Sequence, residues 1–200
     1  MENWVVLQVG LTAQIEILYL YGMGIIIESP PRTIMEVYEM LPEGTLAELI
    51  ESQIYMSPAP SFYHRDIVFE ISTQIRKYLK DNKLGKLVIA PFDVKLDETQ
   101  NTVQPDIVVI LKTNPSQIDR EGRYQGVPDL LIEVLSPSNR EYDLIKKKDL
   151  YQKFGVQEYW IVDPDTKLAL GFALNNSLYN RISEEIGKIR SPLLNAEFEF

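Results

Sequence analysis

The feature that constrains the fold most strongly is a short apolar strand with a glutamate in its middle. It is followed at once by a helix with a lysine on its apolar side. The run is Leu130 to Leu135, LLIEVL, and the helical pattern continues to Gly155. A continuous apolar run of this length is typical of a strand covered on both faces, so the Glu133 side chain is predicted to point into the core. A buried carboxylate costs free energy unless it has a partner. We therefore interpret Glu133 as a candidate functional residue.

The segment after this strand carries the signals of a helix start and a helix end. Ser138, followed three residues later by Glu141, has the form of a capping box, and Gly155 is a suitable residue to end the helix. At about 100° per residue, Lys147 falls near the middle of the apolar stripe formed by Leu144, Leu150, Tyr151 and Phe154. Lys147 must therefore snorkel to the surface or meet an acidic group inside. Asp143 lies on the same side at the i,i+4 spacing, so a plain Asp143–Lys147 ion pair is the simple structural alternative.

Composition restricts the kind of metal site that this chain can form. The sequence contains no cysteine and one histidine, His64, which excludes thiolate sites and histidine-rich zinc sites. Any bound metal is expected to have oxygen ligands, which favours Mg²⁺, Mn²⁺ or Ca²⁺. The formal net charge of −9 argues against a broad basic surface for nucleic acid, but it is compatible with a local basic groove.

The length and pattern predict one main domain with an appended N-terminal segment. We expect residues 1–34 to form an extension of uncertain structure and residues 35–200 to form the folded domain. The apolar run at residues 15–27 is 13 residues long, whereas a membrane-spanning helix needs about 20. The N-terminus also has no positively charged region of the kind that begins a secretory signal. The expected protein is cytoplasmic and does not enter a membrane.

Helical and strand patterns alternate along the predicted domain. Ser61 can cap a helix over Phe62 to Leu79, and strands are predicted over Leu87 to Leu96, over Val103 to Leu111 and over Gln157 to Val162. Together with the strand and helix described first, they predict an α/β fold with a mixed central β-sheet flanked by the His64 helix and the Lys147 helix.

A second carboxylate belongs to another strand of this sheet. Asp106 follows Pro105 at the entry to the apolar run Ile107 to Leu111, so it too lies at a strand that should be covered. Two acids on neighbouring strands repel unless a cation lies between them. Asp106 and Glu133 are therefore predicted to bind a divalent metal, with Lys147 reaching in from the helix. Such a centre suits phosphodiester hydrolysis, so these three residues are the candidate catalytic residues.

Other polar residues have weaker claims on the site. Glu48 is either an auxiliary ligand or a solvated strand acid, and His64, at the first turn of its helix, is either an auxiliary residue or a structural one. Asp129 also follows a proline, but it is about 13 Å from Glu133 along one strand, so we interpret it as a strand-start residue. Asp93 either completes the site or forms a hydrogen bond near Pro91.

Several stretches, in this order, resemble the PD-(D/E)xK nuclease superfamily and, more closely, the Uma2-like family of restriction endonucleases that is abundant in cyanobacteria. The resemblance covers about Met35 to Asp165, and its matching stretches are AELIESQIYMSPAPSFYH, FDVKL, VQPDIVVI, LLIEVLSPSNREYDLIKKKDLY and GVQEYWIVDP. It implies a restriction-endonuclease-like α/β core, dependence on Mg²⁺ or Mn²⁺, and DNA as the substrate.

The resemblance also implies roles for individual residues. Asp106 corresponds to the aspartate of the Pro-Asp motif and Glu133 to the acidic residue of (D/E)xK, whereas Leu135 stands where that motif has its lysine. In Uma2-like sequences the lysine belongs to the following helix, in the pattern D-x-x-x-K-x-x-x-Y. Asp143, Lys147 and Tyr151 match this pattern, so Asp143 and Tyr151 join Glu48 and His64 as auxiliary candidates. The turn at Glu51-Ser52-Gln53 departs from the family, which has an acid, glycine and glutamate there.

The sequence leaves two functions open. One is a metal-dependent endonuclease that acts on DNA. The other is a catalytically inactive protein with the nuclease fold, acting as a DNA-binding or protein-interaction module, which the missing motif lysine and the acidic balance favour. A homodimer would suit a nuclease that cuts two strands, although no sequence pattern specifies one.

Overall fold

The computed structural model describes residues 31–114, 117–118, 122–136 and 142–200. Its helical elements are α1 Ile34–Glu39, α2 Phe62–Asp81, a π-helical segment Tyr142–Lys147 and α3 Lys148–Phe154. Its strands are β1 Ala47–Ile50, β2 Gln53–Met56, β3 Gly85–Ile89, β4 Val94–Lys95, β5 Thr102–Val103, β6 Ile107–Leu111, β7 Gln117–Ile118, β8 Tyr124–Gln125, β9 Leu130–Val134, β10 Glu158–Val162, β11 Leu168–Asn175, β12 Leu178–Ile186, β13 Lys188–Ser191 and β14 Ala196–Glu199.

The central sheet is built around the strand that carries Glu133. Within the described residues its order is β12-β11-β10-β9-β6-β3. Strand β9 pairs in parallel with β10 and antiparallel with β6, so the predicted mixed central sheet is confirmed. Because successive side chains of β9 point to opposite faces, Ile132 and Val134 pack with α2 on one side, while Leu131 and Leu135 pack with α3 on the other. The strand is thus covered on both faces.

A second sheet lies beside the central one, with the order β2-β1-β5-β4-β8-β7 among the described strands. The runs Leu87 to Leu96 and Val103 to Leu111 were each predicted as one strand, and this prediction was wrong. Each run is divided between the two sheets, at Pro91 and at Pro105. A proline has no N–H to donate to a strand ladder, so it is suited to a point where the pairing ends.

The two places where the chain passes from one sheet to the other, at Pro91 and at Pro105, are called the crossing points, and they lie side by side. The backbone N–H of Ala90, next to Pro91, donates to the carbonyl of Asp106 over 3.1 Å. Asp106 follows Pro105 and immediately precedes β6. The chain therefore places Asp106 where the second sheet gives way to the central one.

The helix after β9 differs in part from its prediction. Its first described part is π-helical rather than α-helical, and Lys147 is the last residue of that part. The helix then ends at Gly155 in the left-handed conformation, with φ 87°, as the glycine signal indicated. Ser138 and Glu141, the predicted capping box, lie outside the described residues.

The N-terminal prediction concerns residues of which most lie outside the described ranges. The boundary between residues 34 and 35 stays a prediction, as does the character of the extension. Among the described helices, none combines the length and apolar character needed to cross a membrane.

The turn between β4 and β5 supplies a test of stability against pH. Asp97 Oδ1 accepts the N–H groups of Thr99, Gln100 and Asn101, and Oδ2 accepts the Asn101 side chain. Burial alone would raise the pKa of Asp97, but these hydrogen bonds hold it below its usual value. The stabilisation is therefore present above the unfolded pKa of about 3.9 and is lost as the pH falls through the lower folded pKa.

Asp97→Ala is expected to lower the free energy of unfolding by about 1 kcal/mol at pH 7, because the turn loses its acceptor. Urea unfolding at a series of pH values checks this. The difference from wild type should shrink below about pH 4. A difference that stays constant or grows in acid would contradict the assignment.

Candidate active site

A cleft of about 400 Å³ opens where the two sheets part. Strands β1 and β9, the residue just before β6, the start of α2 and the end of the π-helical segment all contribute to its wall. The titratable side chains that line it are Glu48, His64, Arg65, Asp106, Glu133 and Lys147. The structure thus brings the three predicted catalytic residues and two of the auxiliary candidates into one cavity.

Glu133 lies on the face of β9 that α3 covers, and its side chain is buried. Its Oε1 accepts the Lys147 ammonium over 3.0 Å and the Tyr151 hydroxyl over 2.7 Å. Burial, and next the charge of Glu133, raise the pKa of Tyr151 well above its usual value. Tyr151 therefore stays protonated and acts as a donor to Glu133.

Lys147 points inward and is only 5% exposed. Its Nζ lies 3.0 Å from Glu133 Oε1 and 3.1 Å from Glu48 Oε1, so it meets acids inside rather than snorkelling to solvent. The Asp143 side chain lies outside the described residues. The proposed ion pair between Asp143 and Lys147 therefore stays a prediction, but such a pair cannot be the whole explanation of Lys147.

Glu48 is buried on β1, which rules out a solvated strand acid. Its Oε1 accepts the backbone N–H of Gln104 over 2.8 Å in addition to the Lys147 ammonium. Glu48 and Glu133 thus approach the same ammonium from different sheets. Lys147 joins the two walls of the cleft.

Asp106 is held in place by the central sheet and by α2. Its Oδ2 accepts the backbone N–H of Val134 over 2.8 Å and lies 3.2 Å from Nε2 of His64. Since Val134 follows Glu133 directly, the two predicted metal ligands belong to neighbouring points of paired strands. The backbone N–H of His64 donates to Oγ of Ser61, the predicted helix cap, so the first turn of α2 orients His64 towards Asp106.

The donor set of the cleft suits a hard divalent cation. In its described part, the three carboxylates of Glu48, Asp106 and Glu133 outnumber the two cations, Arg65 and Lys147. Mg²⁺ is commonly held by one or two carboxylates and keeps several waters. Among the described residues, no three His, Asp or Glu side chains form a ready-made cage. A two-carboxylate site with water ligands is therefore the kind of metal centre that fits these residues.

The two rival aspartates have structural partners. Asp129 Oδ2 accepts the Leu111 N–H and the Asn114 side chain, each over 2.8 Å, as suits a residue that begins a strand. Asp93 Oδ1 accepts the Tyr38 hydroxyl over 3.1 Å and the Gln104 side chain over 2.8 Å. Neither aspartate lines the cleft that contains Glu133.

Gln104 is a site residue that the sequence reasoning missed. Its backbone N–H binds Glu48, while its side-chain amide donates to Asp93 and to the Thr45 carbonyl. It therefore joins β1 to the crossing point beside Pro105. The position directly before a proline at the end of a strand was the available signal, because that residue is held in an extended conformation.

Tyr151→Phe tests the charge on Glu133. Loss of a hydrogen bond to a charged acceptor is expected to lower the free energy of unfolding by about 2 kcal/mol. Tyr179→Phe is the matched control, because the Tyr179 hydroxyl donates to the neutral Val156 carbonyl, and its expected cost is about 1 kcal/mol. Urea unfolding at pH 7 measures both. Equal costs, or a smaller cost for Tyr151→Phe, would contradict an ionised Glu133.

The comparisons with known proteins agree with this architecture. A crystal structure of a putative nuclease belonging to DUF820 from Anabaena variabilis is similar, with a TM-score of 0.65 and 22% sequence identity, over 82% of this chain and 92% of that chain. At this identity the likeness shows the fold, and the expected restriction-endonuclease-like α/β fold is confirmed. No curated protein matches the sequence significantly.

A family model described as "Uma2: Putative restriction endonuclease" matches residues 35–198. The match includes every residue of the cleft named above and both sheets. This chain therefore belongs to the Uma2 family.

Proposed function

We propose that this protein is a metal-dependent endonuclease that hydrolyses phosphodiester bonds of DNA. Asp106 and Glu133 are the proposed ligands of Mg²⁺ or Mn²⁺, and Lys147 is the proposed catalytic cation. The observation that carries the proposal is the buried contact of Lys147 Nζ with Glu133 Oε1, 3.0 Å long, in the cleft that also contains Asp106. In this proposal the helix supplies the lysine that (D/E)xK motifs place on the strand, where this chain has the buried Leu135.

A bound divalent ion would supply a Lewis acid that activates water and polarises the scissile phosphate. The protein residues have complementary roles. Val134 and His64 fix the orientation of Asp106, and Tyr151 fixes that of Glu133. Lys147 is positioned to donate a hydrogen bond to the attacking water or to offset the charge that develops on the phosphate. Glu48 holds the ammonium from the opposite wall and is a proposed auxiliary residue.

Cleavage of supercoiled plasmid and of single-stranded DNA tests this proposal directly. Both substrates are incubated with wild-type protein in Mg²⁺, in Mn²⁺ and in excess chelator. We expect cleavage with either ion and none with chelator. Measured metal binding without cleavage of any nucleic acid would contradict the enzyme and favour the binding module, the alternative that Leu135 at the motif position supports.

A further inference from the structure

One exposed face of α2 combines aromatic and basic side chains in a pattern that the cleft chemistry does not use. Phe62 is 73% exposed and Phe69 is 68% exposed. Stepping about 100° per residue places Arg65, Arg76 and Lys80, all exposed, within the same narrow sector as these two rings. We call these five residues the α2 stripe.

The stripe is well placed to meet a ligand of the cleft. Arg65 lines the cleft itself, as do Ser61 and His64 from the same helix start. The two phenylalanine rings are about 10 Å apart along the helix axis, from a rise of about 1.5 Å per residue. The stripe therefore runs from the mouth of the cleft outward along the surface.

The charges of the stripe indicate the chemistry of its partner. Among the described residues, no ion pair involves Arg65, Arg76 or Lys80, whereas the neighbouring Lys77 is paired with Asp81. Asp66 borders the stripe as an acidic neighbour. A basic strip on a chain of net charge −9 is complementary to a polyanion such as a phosphate backbone.

The exposed aromatic rings indicate whether the stripe binds single-stranded or duplex nucleic acid. Successive bases of a single strand stack on aromatic side chains, while cations follow the backbone. In a duplex the base faces are covered by their neighbours, so exposed phenyl rings have nothing to stack on. From this combination we infer that the α2 stripe binds an unpaired DNA strand and leads it into the cleft. This inference rests on the proposed nuclease function, since it names the form of substrate that the cleft receives.

Fluorescence anisotropy with a labelled single-stranded 20-mer and its duplex, in chelator so that no cleavage occurs, tests the binding step. Wild type should bind the single strand at least about tenfold more tightly than the duplex. Phe62→Ala with Phe69→Ala should weaken single-strand binding by about 30-fold or more, because each stacked base contributes roughly a factor of ten. Ile186→Ala, which removes an apolar side chain that is 75% exposed on β12, is the matched control and should bind as wild type.

Salt dependence separates the two kinds of contact. Changing Arg65, Arg76 and Lys80 to glutamine should reduce the slope of log affinity against log salt by about 2, at about 0.7 per phosphate contact on a single strand. The double phenylalanine variant should keep the wild-type slope. Wild-type affinity in the phenylalanine variant, or equal binding of duplex and single strand, would overturn the inference.

The test of the α2 stripe can fail or succeed independently of the test of the proposed nuclease function. If binding depends on the α2 stripe but the wild-type protein cleaves no DNA, single-strand binding by the stripe is supported and the proposed nuclease function is contradicted. If the protein cleaves duplex DNA and the two phenylalanine substitutions do not change the cleavage rate, the nuclease function is supported and the inference about the stripe is contradicted. If those substitutions instead convert a dimer to a monomer in analytical ultracentrifugation, the stripe is a self-association surface and the inference fails.

Discussion

Lys147→Met is expected to remove both stability and activity. The substitution leaves the carboxylates of Glu48 and Glu133 buried without the ammonium that lies 3.0–3.1 Å from each. Breaking a buried charge network in this way costs about 3–5 kcal/mol of the free energy of unfolding. Cleavage by the molecules that remain folded should fall at least ~100-fold, because a preorganised cation at the reacting centre is lost. Urea unfolding and plasmid nicking rates measure the two effects.

The stability and catalytic effects of Lys147 can be separated with a second substitution. Glu48→Gln in the Lys147→Met background removes one of the two uncompensated charges, so it should restore a large part of the lost stability without restoring cleavage. Lys146→Met is the neighbouring control, since the Lys146 ammonium is more exposed and contacts the Tyr55 hydroxyl. It should cost about 0–1 kcal/mol. A folded Lys147→Met with wild-type cleavage would remove Lys147 from the mechanism.

Asp106→Asn is expected to abolish cleavage while the fold survives. The amide has the shape of the carboxylate, and its oxygen can still accept the Val134 N–H, but it lacks the charge that holds a cation. A loss of several kcal/mol of transition-state stabilisation corresponds to a fall of at least ~10³-fold in rate. Initial nicking rates in Mn²⁺, compared at equal folded concentration, measure this fall.

The chain supplies a close control for Asp106 in its second Pro-Asp pair, Pro128-Asp129. Asp129→Asn removes a charge from a buried aspartate that also accepts a backbone N–H at a strand, here that of Leu111. It should lower stability and leave the cleavage rate of the folded protein unchanged. Equal losses of cleavage per folded molecule in the two variants would contradict a specific role of Asp106 as a metal ligand.

Local patterns in the sequence predicted those parts of the fold that depend on neighbours along the chain. The apolar run around Glu133 correctly indicated a doubly covered strand, Ser61 marked a helix start and Gly155 a helix end. The inward position of Lys147 also followed from helical spacing, although its segment is π-helical.

Contacts between distant segments could not be predicted in this way. Glu48 has the local pattern of a half-exposed strand, and its burial depends on pairing of β1 with β5 and on the ammonium of Lys147. Pro91 and Pro105 are local signals that strand pairing is interrupted. The strands that pair on either side of each proline come from distant segments, so no local pattern showed that each run crosses between sheets. That crossing is what forms the cleft and aligns Asp106 with Glu133.

The most direct measurement is the anomalous difference density of Mn²⁺ in crystals soaked at neutral pH. A site held by Asp106 and Glu133 predicts a peak in the cleft with one oxygen of each carboxylate at roughly 2.2 Å, close to the Lys147 ammonium. The peak should be absent from the Asp106→Asn protein. A wild-type crystal with strong Mn²⁺ peaks elsewhere and none between Asp106 and Glu133 would contradict the proposed metal centre.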